Sequence, residues 1–328
     1  LLGDERPAVR DRAIRALGKI GTEAVPALVE VLRNATSVEA RRDAVWALTR
    51  IEDEKARRAV AAALSDKSES VRHTAIHSIS VRRDPGAAKQ LASLVRSAPA
   101  PLRRAAAEAL GRIGEKSVVP SLLESAASVQ NDRALEHSLI YALIEIADPI
   151  GTAAGLQAKA ALTQRAALIA LDQMEGGGLK PETVAPLLSS RNPLLKQTAS
   201  WLVSRHADWG GALAGHFRAR LAATDLNETD QAELHRQLAQ LATNPAIQEL
   251  IATTLGAPAA PHSALLAAVR AMAEAVLKET PPAWTTELAR LLMKDDAELI
   301  REGVAAARAL AAPKAGAEEL GTALLRVA

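Results

Sequence analysis

His73 and His77 stand four residues apart in "VRHTAIHSIS", a spacing that puts two imidazoles on one face of a helix. Glu108 and His137 fall at corresponding points further along, so a three-ligand metal site, and with it a metal-dependent enzyme, is one reading of these residues. The supporting motifs are missing. No HExxH occurs, and none of the seven histidines is followed by Glu. Cysteine is absent, which excludes disulfides, Cys-ligated zinc, thiol nucleophiles and covalent c-type haem within these residues. "GGG" at 176–178 follows no strand and reads as a flexible joint, not a phosphate cradle. No Ser-His-Asp arrangement can be argued. The favoured reading is a chain that is not an enzyme and needs no cofactor.

The elements that would position these residues are repeats. "VRDRAIRALGKIG" (9–21), "ARRDAVWALTRIE" (40–52), "VRHTAIHSISVRR" (71–83) and "LRRAAAEALGRIG" (102–114) start 31 residues apart, and "LEHSLIYALIEIA" (135–147) follows after 33. Looser copies begin near Thr163, Leu195, Asp230, Ala264 and Leu299, making about ten units. Positions 1, 5, 8, 9 and 12 of each copy are apolar or small, a stripe of helical period. Gly21 and Gly114 are expected to end their helices as left-handed caps. A shorter helix follows each copy. "TEAVPALVEVL" (22–32), "KSVVPSLLESA" (116–126) and "PETVAPLLSS" (181–190) are expected to carry Pro26, Pro120 and Pro186 in the first turn, where a missing N–H is tolerated. A core of Ala and Leu with 2% aromatics suits closely packed helices.

Such hairpins cannot bury their apolar stripes singly, but stacked pairs can. The expected fold is therefore all-α, a right-handed armadillo/HEAT-like α-solenoid. Regular repeats over 1–175 and divergent ones over 176–328 are expected to run on continuously, with "EGGGLKPE" (175–182) as the softest joint. "LLGDERPAVR" at the start reads as the tail of a helix. The last helix, "AEELGTALLRVA" (317–328), is expected to leave Leu320, Leu324, Leu325 and Val327 as apolar surface, so the chain reads as a segment of something longer. No apolar run approaches the length of a bilayer span.

The pattern "VRxxAxxALGxIG" followed by "xAVPALxxxL" resembles the HEAT repeat, particularly its phycobilisome-lyase-like variety. "AALIALDQMEGGGLKPE" (166–182) and "WLVSRHADWGGALAGHF" (201–217) are similar to the HEAT segment of the bacterial PVC-type haem-binding, membrane-bound dehydrogenase family. That second resemblance implies a larger redox-associated parent and a periplasmic or exported location, but no redox chemistry in these residues. HEAT-fold metal hydroxylases rely on His-Glu pairs, which this chain lacks.

The HEAT resemblance further implies that the longer helices line a concave face, with positions 3 and 7 of each copy in the groove. Position 3 reads Asp11, Arg42, His73, Arg104, His137, Arg165 and Gln197. Position 7 reads Arg15, Trp46, His77, Glu108, Tyr141, Ile169 and Trp201. Aromatic and histidine side chains are thus sorted onto one stripe, and exposed aromatics and Arg are typical interface anchors. Arg42, Trp46, His73, His77, Arg104, Glu108, His137, Tyr141 and Trp201 are the candidate binding residues. The partner they imply is a protein or a flanking domain of the same chain, docked on a scaffold.

Arg10, Arg41, Arg72 and Arg103 recur at position 2. They read as a structural ladder, with Asp4 and Asp66 six residues before Arg10 and Arg72 as its partners. The other reading is a phosphate track. Residues 1–120 hold 22 Lys+Arg and 15 Asp+Glu, net +7, and the remainder net −5. Nucleic-acid binding through this basic half ranks below protein docking, because stacking platforms are few and the ladder stops at Glu136. In "SRHADWGGALAGHFRARLA" (204–222), Trp209, Leu213, Phe217 and Leu221 recur every four residues and are expected to be core. His206 sits at a helix C-terminus, and Trp201 alone belongs to the groove.

Overall fold

The computed structural model describes residues 1–129, 131–312 and 315–327. All regular structure among them is helical, and the chain forms two compact units, Leu1–Leu179 and Lys180–Ala328.

The first unit alternates longer and shorter helices: α1 (Pro7–Ile20), α2 (Val25–Asn34), α3 (Val38–Thr49), α4 (Glu54–Ala62), α5 (Glu69–Arg82), α6 (Ala88–Ser97), α7 (Ala100–Ile113), α8 (Val119–Ala126), α9 (Arg133–Ile146), α10 (Pro149–Ala153) and α11 (Ala161–Gln173). The odd-numbered helices pack side by side in sequence as one layer, α1 on α3, α3 on α5, and so on to α11. The even-numbered helices form the second layer, with α2 against α4, α6 against α8 and α8 against α10. Each layer buries its apolar stripe against the other. Ala44, Ala75, Ala106, Leu110, Leu139 and Leu143 are fully buried on the odd-numbered helices, as are Leu91 and Leu122 on the even ones. Small residues at these crossings let helix axes approach closely.

The second unit consists of α12 (Pro181–Val184), α13 (Pro193–Arg205), α14 (Gly210–Ala222), α15 (Glu228–Gln240), α16 (Pro245–Gly256), α17 (His262–Glu274), α18 (Pro282–Leu291), α19 (Ala297–Ala309) and α20 (Ala317–Val327). Here α13, α15, α17 and α19 stack as one layer, and α12, α14, α16, α18 and α20 as the other. The ten expected copies correspond to α1, α3, α5, α7, α9, α11, α13, α15, α17 and α19. Polar caps set many starts: Ser37, Asp132, Asn192, Asn227, Asn244 and Asp296 each accept an N–H of the first turn of the helix they precede.

Local details correct the expectations. The short helices do not begin where their sequence pattern does. Gly21–Ala24 and Lys116–Val118 are 3-10 turns, and α2 and α8 start at Val25 and Val119. Pro26 and Pro120 have no N–H to give to the carbonyl four residues back. Val25 and Val119 donate instead to Thr22 and Lys116, three back, which is the 3-10 bond. Around Pro186 the element breaks into α12 and a 3-10 turn at Ala185–Ser189.

Gly114 is left-handed, at φ 76° and ψ 18°. Gly21 is not: its φ of 74° pairs with ψ −138°, a region open only to glycine. Residues 1–6 form turns, not a helix tail. Leu320 is buried, because α20 lays that face on α18, while Leu325 is exposed.

Candidate interaction surface

The odd-numbered helices of the first unit face α2–α10 on one side and present positions 3 and 7 on another. Asp11, Arg15, His73, His77, Glu108, His137 and Tyr141 are exposed there, and Arg42, Trp46, Arg104, Arg165 and Ile169 are half-buried. The alternation follows from period: with 3.6 residues per turn, positions 3 and 7 share a face roughly opposite positions 5, 8 and 12.

Neighbouring repeats meet along this stripe. The rings of Trp46 on α3 and His77 on α5 lie 5.5 Å apart at 66°, an edge-on contact. Trp46 also packs its inner side on the core. On α9, His137 stacks on Tyr141 at 6.1 Å, one turn apart, and Tyr141 is 48% exposed. Arg42 leans on Asp43 (Nε to Oδ1, 3.1 Å), whose other oxygen takes Arg10 at 3.0 Å. Arg165 pairs with Glu136 of the preceding repeat at 2.9 Å.

The histidines do not assemble into a ligand set. Among the described residues no group of three His, Cys, Asp or Glu side chains could hold a metal ion. His77 turns its ring against Trp46 of the repeat before, and His137 spends its ring on Tyr141, so neither converges with His73 and Glu108. The three-ligand geometry read from the sequence is not formed.

The arginine ladder is a set of struts. Arg41 makes a two-pronged pair with Asp66, Nε to Oδ2 at 2.8 Å and Nη2 to Oδ1 at 3.0 Å, and gives Nη1 to the Ala35 carbonyl at 2.9 Å. Arg72 then donates to the carbonyl of the same Asp66 at 3.0 Å. Asp66 thus holds its own repeat through its backbone and the previous repeat through its carboxylate. The charged tie joins adjacent repeats, as a structural ladder requires, and it is made by Arg41, while Arg72, six residues after Asp66, takes only its carbonyl. Burial raises the Asp66 carboxyl, but the Arg41 hydrogen bond, the Ser68 N–H and the Arg41 charge outweigh it and hold it below the usual carboxylate range.

Arg10 reaches the carbonyls of Asp4 (2.8 Å) and Glu5 (3.1 Å). Arg103 donates to the carbonyls of Val95 and Ser125, at 2.9 Å each. All four position-2 arginines therefore satisfy backbone oxygens in the turns between helices or in the last turn of a helix, where carbonyls lack intrahelical donors. Committed in this way, they do not form a phosphate track.

Sequence reading missed that the ladder resumes beyond Glu136. At position 2 of two later copies, Gln164 and Gln231 donate to the carbonyls of Ala158 (2.6 Å) and Leu226 (2.9 Å). A neutral donor serves equally well there, so a search for charge could not find it; a search for a long side chain with an N–H at position 2 could.

In the second unit, Trp201 is 39% exposed, with the Arg205 guanidinium 5.0 Å above its ring. Gln197 is exposed one turn earlier. Trp209, Leu213, Phe217 and Leu221 are all buried, so that cluster is core. His206 caps α13 and stacks flat on Trp209, at 4.1 Å and 7°. His216 is held below its ordinary value by burial and by nearby Arg220. Neighbouring helices of the odd-numbered layer are cross-linked by polar pairs: Ser200 with Glu233 (2.7 Å), Gln237 with Ser200 (3.0 Å), and Arg270 with Glu298 (3.1 Å) and Glu302 (3.0 Å).

Comparison with known proteins agrees with this architecture. Residues 25–108 match the HEAT repeats model, and residues 9–34 and 102–128 match the PBS lyase HEAT-like repeat model. No curated protein matches, and the narrower likeness to haem-binding dehydrogenases gains no support. Among solved structures, Kap121p bound to Pho4p superposes over 99% of this chain and 43% of its own, at 11% identity and a TM-score of 0.58. Unbound Kap121p gives 0.54 at 11% identity over 99% and 42%. Kap95p, from work on its binding to RanGDP, gives 0.50 at 14% identity over 99% and 53%. The chain thus spans about half the length of these proteins or less, and at such identity the likeness concerns the fold alone. Residues 9–128 carry HEAT repeats, and the fold is that of an all-α HEAT-repeat solenoid.

Proposed function

We propose that this chain is a non-catalytic scaffold whose odd-numbered helices dock a protein, or a neighbouring domain of the same polypeptide, on the stripe of Arg42, Trp46, His73, His77, Arg104, Glu108, His137 and Tyr141. The observation that carries the reading is the Trp46–His77 contact between adjacent repeats, set in an exposed row that also holds Tyr141. Large rigid side chains left partly accessible on α3, α5 and α9 are, at an interface, the usual anchors. Trp201 with Arg205 offers the same chemistry in the second unit. Structural neighbours that bind proteins, as Kap121p binds Pho4p, make the use of this fold for docking familiar. A place within a larger redox-associated protein rests on residues 166–182 and 201–217 alone; a neighbouring β-propeller and CxxCH module in the parent sequence would support it.

The test is affinity capture with the intact 328-residue protein and with the double variant Trp46→Ala/Tyr141→Ala, after circular dichroism has shown equal helicity. Loss of specific partners with the variant is expected. Equal recovery by both would remove the stripe as the docking face.

A further inference from the structure

A cavity of about 560 Å³ opens in the second unit between α16 and α18, outside the stripe described above. Its size falls in the range of small-ligand pockets. Pro281, Pro282, Ala252 and Ala283 line it, together with two carboxylates, Glu249 on α16 and Glu287 on α18. Fixed proline rings and small alanines form its apolar wall, and Gln248, Glu249, Thr253 and Glu287 supply its polar groups.

Glu287 is under-partnered. Among the described residues its Oε2 is buried and accepts no hydrogen bond, and its Oε1 accepts from Arg290 Nη1 at 2.6 Å. That donor lies one turn along on the same helix, with a side chain that is 69% exposed. A carboxylate can accept about four hydrogen bonds, and a buried acceptor without a donor is costly enough to call for an explanation. Gly256 supplies the room for it: a Cβ there would stand 2.9 Å from Oε2. The fold therefore seats an acidic group beside an apolar wall, and among the described residues its partner is the exposed, exchangeable Arg290.

We propose that this recess binds an organic cation, an ammonium group on a short aliphatic stem, with the stem against Pro281, Pro282 and Ala283 and the ammonium on Glu287. The ammonium takes the place of Arg290 at Oε1, and rotation about the soft terminal torsion of Glu287 brings Oε2 within its reach. Glu249 adds a second negative charge at the rim. The same chemistry is offered by a free amine and by a lysine side chain on another protein.

Titration of the full chain with n-butylamine, followed by amide chemical shifts, tests this, with n-butanol and butyrate as neutral and anionic analogues. Saturable binding of the amine alone is expected. Glu287→Gln should weaken it at least tenfold, and Arg290→Ala should tighten it about threefold by removing the competing cation. Gly256→Ala should weaken it by displacing the carboxylate. A blocked Ala-Lys-Ala peptide run in parallel separates the sources: tighter binding than butylamine assigns the site to a partner's lysine, weaker binding to a free amine. Equal response to butanol or butyrate, absence of saturation, or an affinity unchanged by both Glu287→Gln and Arg290→Ala would overturn the proposal. The opposite signs expected for those two variants keep a folding defect from imitating the result.

Discussion

Position 13 of the repeat, the residue that ends α1, α5, α7 and α9, offers a reciprocal experiment. Gly114 occupies it after α7 with φ 76° and ψ 18°, and Ala147 occupies it after α9 with φ 51° and ψ 51°. Both are left-handed, and both donate their N–H to the carbonyl four residues back, of Leu110 and of Leu143. A Cβ built on Gly114 meets nothing within 4 Å, so Gly114→Ala carries a torsional cost and no clash. An L-residue in this region costs about 1–2 kcal/mol, and loss of glycine's freedom in the unfolded chain returns roughly 0.4–1 kcal/mol. Gly114→Ala should therefore destabilise by about 1 kcal/mol, and Ala147→Gly should stabilise by about the same. For a cooperative unit the size of the first one, 1 kcal/mol corresponds to about 2–4 °C in the melting temperature. Denaturant midpoints should move in opposite directions, and the double variant should lie near the parent. Arg83, left-handed at φ 50° after α5, should follow Ala147 when replaced by glycine. Because solenoid stability is a sum of local terms, hydrogen exchange in α7 and α9 should report the changes most strongly. Destabilisation by Ala147→Gly would refute the argument that backbone torsion decides these caps.

Further perturbations address the interior. Arg41→Ala, which strands the buried Asp66 carboxylate and the Ala35 carbonyl, should cost about 3 kcal/mol in denaturant unfolding, whereas changing both Arg41 and Asp66 should cost less than the sum. The depressed Asp66 carboxyl contributes stability that is complete above the ordinary carboxylate range and is lost as pH falls below about 4, so Asp66→Asn should flatten the acid limb of the stability curve. His216 works on a different window: its lowered value means the unfolded chain takes the proton first, so stability should decline as pH drops below about 6.5, and His216→Gln should remove that decline. Trp284 is fully buried and gives its indole N–H to the Gln248 carbonyl at 2.9 Å; Trp284→Phe should destabilise by about 1–3 kcal/mol in the same assay.

What was legible in the sequence was the part governed by period. A recurring amphipathic pattern points to stacked hairpins, which bury every stripe; its 31-residue spacing placed the first four longer helices, and looser copies at 28–35 residues placed the other six. What was not legible depended on single atoms. The pattern of "TEAVPALVEVL" is helical from Thr22, yet the missing N–H of Pro26 postpones the α-helix to Val25. Gly21 and Gly114 look alike in sequence, but only the second is left-handed, since ψ is set by where the following chain must go.

The surface residues show the same division. Their exposure follows from register, so the stripe could be written down without coordinates. Their partners could not, because a ring or a guanidinium on a long stem chooses among groups several ångströms apart. His77 could face His73's side of α5 or the repeat before it, and it faces Trp46. Asp66 could serve Arg72 or Arg41, and its backbone serves one while its carboxylate serves the other. The choice at Asp66 has a physical ground. A two-pronged carboxylate–guanidinium pair needs a coplanar approach, which Arg41 of the neighbouring helix attains, whereas Arg72, six residues along the same turn, reaches only the carbonyl. Position 2 is therefore a donor position first and a charged one second. That is why Gln164 and Gln231 replace arginine there without loss of the strut. Arg72→Gln should be tolerated for the same reason, whereas Arg41→Gln, which must also meet a carboxylate, should not be.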